Sequence, residues 1–488
     1  MKMVIAVLDK KGDDATNIVF KVLRTLHGEP SNSFEVTTSA TCTVEKDVGA
    51  MQRQNFESVT AVGYTFPKRI LQHEPRSTRL ESAKLVFTGR IYPFNQNVLA
   101  AELFASNLKQ PHSIAVEALF DEVEGDFAFI IVEPEKIIAG RDPIGVQPLY
   151  YGENKNVAAL AANRKALWRM GIETTQSFPP GHLAFVTREG FKFQRVKTFS
   201  YPKQPKPTTM HEAAATLQKL LENSVRNRVA GLREAAVAFS GGLDSSVVAF
   251  LSKKCGVSVQ LVHVSLENQH ETEEAKRAAD ELKLPLQTHL FREEDVERAV
   301  VRVVELIEEN DPIKAAVGVP FYWVAEKTSE AGFKALLAGQ GADELFGGYQ
   351  RYVNEYIVHD KEQVRKTMFN DVINIHESNI ERDVKICSFH DVELRLPFAS
   401  CVIADFALNL PVELKLEKRA DSPRKLLLRK VAENLGLPES IAEKSKKAVQ
   451  YSTGVNDALR KIAKKEGKTI RDYVNALFLS NHNNIIGA

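Results

Sequence analysis

The sequence predicts two domains of different class. Residues 1–201 read as an α+β domain of antiparallel sheets; residues 208–488 read as an α/β domain with a parallel, doubly wound sheet that ends in a helical part. Three observations predict this. Before residue 201 the apolar runs are short, rich in β-branched and aromatic residues and bounded by turn residues. Pro202-Lys-Gln-Pro205-Lys-Pro207 is a stiff, polar linker. After it, helical and apolar segments alternate as parallel strands joined by helices do.

In the first domain, Met1 to Asp9 is too short and too soon interrupted for a secretory signal and reads as an edge or core strand. Further strands are expected at 34–43, 58–66, 84–92, 126–132 and 136–139, and helices at 14–26, 96–106 and 113–122. Gly152-Glu153-Asn154 and Arg188-Glu189-Gly190 read as hairpin turns. In the second domain the order is helix 209–228, strand 234–239, helix 245–254, strand 258–264, helix 271–283 and strand 285–290, with another buried strand at 333–337. Beyond residue 345 the chain reads as almost wholly helical, through an amphipathic 470–479 to a polar tail.

Lysine and arginine number 64 against 63 acidic residues, so no general field draws nucleic acid or an anionic membrane. No apolar run approaches the ~20 residues that span a bilayer. The cysteines Cys42, Cys255, Cys387 and Cys401 show no paired spacing, which argues against a disulfide framework or a metal knuckle and for a reduced, cytoplasmic setting. A homodimer is compatible with all of this.

Chemistry concentrates in Ser240-Gly241-Gly242-Leu243-Asp244-Ser245-Ser246, which follows the apolar run 235–239 and opens a helix. Glycines let the backbone close on an anion, N–H groups point inward and the helix dipole favours negative charge. Asp244 beside a phosphate makes sense when Mg²⁺ lies between them. The segment holds no lysine, so it differs from the Gly-Lys-Ser/Thr phosphate loop. A loop that grips the outer phosphates as a leaving group leaves the innermost phosphorus open to attack, and in this the pattern resembles the pyrophosphate loop of the ATP pyrophosphatases. A second strand runs into Ala338-Gly339-Gln340-Gly341-Ala342-Asp343-Glu344. Asp343 reads as a metal ligand or as a helix N-cap, and it could share one Mg²⁺ with Asp244.

With both loops in view, the chain resembles the glutamine-dependent amidotransferases of the asparagine synthetase family over about residues 84–455. Glu393-Leu-Arg395-Leu-Pro397-Phe398 is similar to that family's Glu-x-Arg-x-Pro-Phe segment. Gly140-Arg141-Asp142-Pro143-Ile144-Gly145-Val146-Gln147-Pro148-Leu149-Tyr150 is similar to the hairpin of its N-terminal domain, and Arg164 to Leu167 and Phe178 to Gly181 extend the match. The resemblance implies an N-terminal αββα sandwich of Ntn-hydrolase type and a C-terminal domain of adenine nucleotide α-hydrolase type. It also implies ATP and Mg²⁺, adenylation of the side-chain carboxylate of aspartate or a related acid, release of pyrophosphate, and amidation by ammonia. Ser240, Gly241, Gly242, Asp244, Ser245 and Ser246 then hold the pyrophosphate, while Val264, Ala338 and Gly339 lie at the nucleotide. The catalytic lysine is Lys446 or Lys447, from a run that also reads as a solvated basic patch. Arg395 and Glu344 are candidate acceptor contacts, with a structural ion pair as the other reading of Arg395.

Two departures bear on function. The family releases ammonia with an N-terminal cysteine, whereas this sequence starts Met1-Lys2, and Cys42 carries no free α-amine. Thr88-Gly89-Arg90 stands where the family has Asn-Gly-Glu, and no Arg-His-Arg-Gly-Pro-Asp stretch occurs in residues 20–80. The N-terminal domain is therefore expected to keep the fold without the glutaminase reaction, ammonia coming free or from a separate glutaminase partner. In addition, Gln340 replaces the glutamate of a Gly-Glu-Gly; an amide orients ammonia or acceptor but is no base. The alternatives are a nucleotide-loop enzyme that modifies tRNA or another acceptor, and a non-catalytic nucleotide-binding regulator.

Overall fold

The computed structural model describes residues 3–25, 32–45, 48–49, 57–67, 78–79, 83–92, 120, 123–444 and 449–486. The chain divides into two compact units, Met1–Thr198 with Leu479–Ala488, and Phe199–Phe478. The tail that the linker-based reading gives to the second domain thus groups with the first.

The first unit holds two antiparallel sheets. In the seven-stranded sheet, Met3–Asp9 is a central strand between Val157–Ala161 and Thr60–Pro67. The six-stranded sheet centres on Glu124–Val132, between Lys84–Tyr92 and Ile137–Arg141. Strand alternation builds three cores, because successive side chains leave opposite faces. Ala128, Ile130 and Val132 pack with Val4, Ala6 and Leu8 between the sheets. Phe127, Phe129 and Ile131 form the far face with Phe87 and Phe120. Ile5 and Val7 face the helix Ala15–Thr25, whose Val19 and Leu23 are fully buried at about 1.5–3 kcal/mol each. A Cβ on Gly63 would lie 2.5 Å from Val19 Cγ1, so helix and strand meet where the strand carries no side chain.

Two expectations need correction. Residues 34–43 are not one strand: Asn32–Thr37 and Cys42–Glu45 form a hairpin, closed by Thr38 N to Thr41 O at 2.9 Å. Its turn uses threonine hydroxyls rather than glycine or proline, since Thr38 Oγ1 accepts from the Thr41 N–H at 3.0 Å. Gly140 to Tyr150 is not a hairpin either, because Ile137–Arg141 belongs to one sheet and Tyr150–Glu153 to the other. This crossover is fixed by the buried carboxylate of Asp142, which accepts from the N–H groups of Ile144, Gly145 and Val146. Arg141, fully buried, donates to the Phe178 and Gly145 carbonyls. The expected helices 96–106 and 113–122 lie outside the described residues, except for Phe120.

The second unit is built on a five-stranded parallel sheet ordered Leu286–Phe291, Ser258–Leu266, Glu234–Ala238, Ala335–Leu337, Glu393–Arg395. Its helices alternate with the strands as the sequence pattern predicts; Met210–Val229 starts at a capping box between Thr209 and Glu212. The chain winds outward from Glu234–Ala238 in one direction, then returns to Ala335–Leu337 on the other side. The switch point, where such sheets open a crevice for ligands, falls between these two strands. Among the described residues beyond 345, helices and their connections are joined by one strand, Glu393–Arg395, three residues that complete the sheet edge and are too few to show a period.

Candidate active site

Both glycine-rich loops leave the carboxyl ends of the strands that flank the switch point. After Glu234–Ala238 and Phe239, Gly241 turns at φ +66°, and the helix Leu243–Lys254 begins at Gly242. No side chain caps that helix start, so its first N–H groups face the crevice as an anion seat. A Cβ on Gly241 would lie 2.8 Å from Ala275 Cα, so the helix His270–Leu282 lies directly on the loop. Ser240 and Ser245 place their hydroxyl oxygens 3.3 Å apart, and Ser245 Oγ donates to Gly242 O at 3.2 Å. Ser246 is fully buried behind them.

The second loop leaves Ala335–Leu337 through Ala338 and Gly339, turns at Gly341 (φ +96°) and enters the helix Ala342–Phe346. The loops abut: a Cβ on Gly339 would meet Asp244 Cβ at 2.8 Å. Asp244 and Asp343 converge on a residue that sequence reasoning missed. Lys425 Nζ lies 2.6 and 2.5 Å from the two Asp244 carboxylate oxygens and 2.6 Å from Asp343 Oδ1. Only its place in the fold brings Lys425 here, and the local sign of it is slight. A basic pair, Arg424-Lys425, precedes the helix Leu426–Leu435, where an acidic or hydroxyl cap is the rule.

A cavity of about 470 Å³ opens beside the first loop, within the usual range for a small-molecule site. Ser240, Gly241, Gly242 and Asp244 line it together with Arg424, Lys425, Arg429 and Lys444. Arg429 donates to the carbonyls of Arg424, Ala442 and Lys444, and Lys444 pairs with Glu274 at 2.9 Å. His263 Nδ1 lies 2.9 Å from the Phe239 carbonyl, which only accepts, so the proton is on Nδ1 and Nε2 is an acceptor. Burial holds this imidazole below its usual pKa and therefore neutral.

The other predicted residues fall as follows. Val264, expected to end its strand, lies inside Ser258–Leu266, and Ala338 just follows Ala335–Leu337; both are buried and outside the cavity lining. Gln340 Nε2 donates to Asp383 Oδ2 at 3.0 Å, and Asp383 is fully buried with Arg382 bonded to both its oxygens. Glu344 accepts from Tyr349 Oη at 2.5 Å and from Asn379 Nδ2 at 2.7 Å. Asn379 lies in a five-residue π-helical turn, His376–Ile380, and its Oδ1 accepts from Arg382 at 3.3 Å. Burial, and the neighbouring Asp343 charge, push Glu344 up to about 7. Arg395 is buried and bonded to Glu393 and to the Arg228 carbonyl, which is the ion-pair reading rather than an acceptor contact. Lys446 and Lys447 lie outside the described residues.

Among the described residues no three His, Cys, Asp or Glu side chains group as a metal cage. Two carboxylates reaching one cation still suit Mg²⁺, which binds through one or two carboxylates plus phosphate oxygens. Among the described residues no helix is long and apolar enough to cross a membrane.

A parallel sheet with glycine–aspartate loops on both sides of its switch point defines a nucleotide-handling α/β enzyme. The comparisons narrow the class. The asparagine synthase profile matches residues 216–363 and 357–482, and a glutamine amidotransferase domain profile matches residues 71–169. A Methanocaldococcus jannaschii protein assigned as a glutamine-hydrolyzing asparagine synthetase is 31% identical over 469 residues, covering 83% of this chain and 84% of that one. The glutamine-hydrolyzing asparagine synthetase of Asparagus officinalis is 28% identical over 388 residues, covering 75% of this chain and 64% of its own. Glutamine phosphoribosylpyrophosphate amidotransferase from B. subtilis aligns over 59% of this chain and 65% of its own at 15% identity, with a TM-score of 0.34, too low to bear on the fold. The chain belongs to the asparagine synthase family. That membership supports an ATP-dependent carbon–nitrogen ligase and gives no support to the tRNA-modifying or non-catalytic alternatives.

Proposed function

We propose that the chain is an AMP-forming amide ligase that activates the side-chain carboxylate of aspartate, or a related acid, and amidates it with ammonia. The observation that supports this best is the meeting of Asp244 and Asp343 on one ammonium at the switch point. The acceptor carboxylate oxygen attacks the innermost phosphorus of ATP, and the bond from that phosphorus to the bridging oxygen breaks, releasing diphosphate. Ammonia then adds to the acyl carbon, AMP leaves with the C–O electron pair, and a proton is lost from nitrogen. Ser240 to Ser246 hold the leaving diphosphate with N–H and hydroxyl donors; Arg424, Lys425, Arg429 and Lys444 face its charge. Asp244 and Asp343 are the residues that would hold Mg²⁺, which when bound neutralises the diphosphate as a Lewis acid. Lys446 or Lys447 is the proposed catalytic lysine. Gln340, tied to Asp383, orients a substrate without taking its proton.

The first unit is proposed to keep its fold without glutaminase chemistry. Gly89 retains φ +96° and packs so closely on Asp126 O that a Cβ would lie 1.9 Å away. The polar residues beside it are Thr88 and Arg90, not the amide and acid of the family pattern. Ammonia would then come free or from a separate glutaminase. Pyrophosphate release with ATP, Mg²⁺ and aspartate tests both statements: ammonium should sustain it and glutamine should not. ADP as the product, or equal rates with glutamine, refutes the respective statement.

A further inference from the structure

Lys425 is placed in a way that nucleotide binding alone does not explain. Its ammonium donates to both Asp244 carboxylate oxygens and lies 2.6 Å from Asp343 Oδ1 as an ion pair, so one cation serves two carboxylates. The lysine side chain is only 3% exposed. Its backbone is held at φ +61°, a left-handed conformation rare for lysine. Room is kept for the arrangement by Gly348, where a Cβ would lie 1.8 Å from Asp343 Oδ1 and 2.5 Å from Lys425 Cε. The fold therefore builds a strained, buried seat for one cation between two carboxylates, and fills it from its own chain.

We infer that Lys425 is an exchangeable cation that occupies the place between Asp244 and Asp343 in the empty site and passes to the diphosphate when metal and diphosphate bind together. This deepens the proposed function and rests on it. Without a counter-ion the two carboxylates would repel and spread the loops. With the lysine in place the trio carries one net negative charge, two carboxylates against one ammonium. Mg²⁺ arriving alone must strip the ammonium from its partners and leave it buried with nothing to receive it, which is costly. Diphosphate oxygens supply the receiver. Metal and diphosphate therefore each strengthen the binding of the other, and by linkage the gain is reciprocal. Removing the ammonium should loosen this coupling: Mg²⁺ alone then meets two negative charges and binds more tightly, while diphosphate loses a donor.

Isothermal titration of the metal-free full chain with Mg²⁺, with and without inorganic pyrophosphate, tests the inference. In the unaltered chain pyrophosphate should tighten Mg²⁺ binding ~10-fold or more. In Lys425→Met, Mg²⁺ alone should bind ~10-fold more tightly than to the unaltered chain, and the gain from pyrophosphate should fall below ~3-fold. A merely structural lysine would not raise metal affinity when removed, so unchanged or weaker Mg²⁺ binding in a folded Lys425→Met overturns the inference. Should that variant not fold, the unaltered chain decides: Mg²⁺ bound as tightly alone as with pyrophosphate overturns it, and pyrophosphate-dependent tightening supports it. Absence of any Mg²⁺–pyrophosphate binding to the unaltered chain would instead bring down the proposed function, and the inference with it.

Discussion

The first unit keeps an aspartate just past a strand end, the second keeps two in the first turns of the helices that follow its loops, and the two units use them in opposite ways. Asp142 is fully buried and its oxygens are taken up by backbone N–H groups of the turn that follows. Asp244 and Asp343 are partly exposed and share one lysine ammonium. A carboxylate tied to its own backbone can only hold a fold. One tied to a rotatable ammonium can trade partners, which is what a ligand site needs. The contrast shows how a family motif in the first unit, Arg141-Asp142, can serve the fold through main-chain bonds.

The comparison can be broken most directly at Asp343. Asp343→Ala should cut pyrophosphate release at least ~100-fold, while the thermal midpoint stays within a few degrees. Asp142→Asn should do the reverse, costing about 3 kcal/mol in urea unfolding with turnover of the folded protein unchanged. Equal effects of the two variants on turnover would end the distinction. Next comes Gly348→Ala, which must displace Asp343 or Lys425 and should slow turnover ~10–100-fold without a comparable loss of stability. Arg395→Ala should destabilise by about 3 kcal/mol and leave the KM for the acceptor unchanged; a raised KM would restore it as an acceptor contact.

The smallest effect concerns pH. Burial and Asp343 raise Glu344 from 4.5 to about 7, so the folded chain holds a proton that the unfolded chain has lost between those values. The associated stability is fully present below pH 4.5 and is lost as pH rises to about 7, by at most about 3 kcal/mol. Asp142, raised from 3.8 to about 7 by burial and by Asp126, adds a slope of the same sign. Glu344→Gln should flatten urea midpoints over this window by one group's share. A slope unchanged from the parent would show that Glu344 titrates elsewhere.

Local patterns made much of this legible. Both loops announce themselves through glycines beside an aspartate at a strand end, and the alternation after the linker gives the parallel sheet. What stayed hidden depends on distant parts of the chain. Lys425 lies 181 residues from Asp244 and belongs to the site only because the helix Leu426–Leu435 starts there. Asn379, which holds Glu344, sits on an irregular π-turn that no period reveals, and Asp383, which holds Gln340, lies in the helix Glu381–Phe389 that follows it. The Thr38–Thr41 turn lacks glycine and proline, and Gly140 to Tyr150 changes sheets where a hairpin pattern suggests return.

Arg429 has a consequence of its own for what the cavity can choose between. Three of its N–H directions are spent on main-chain oxygens of residues 424, 442 and 444. Its positive charge reaches the cavity while its fork is turned toward the wall. Such a group contributes charge more than shape, so discrimination among anions falls to other groups that line the cavity, the hydroxyl of Ser240 and the ammonium of Lys425 among them.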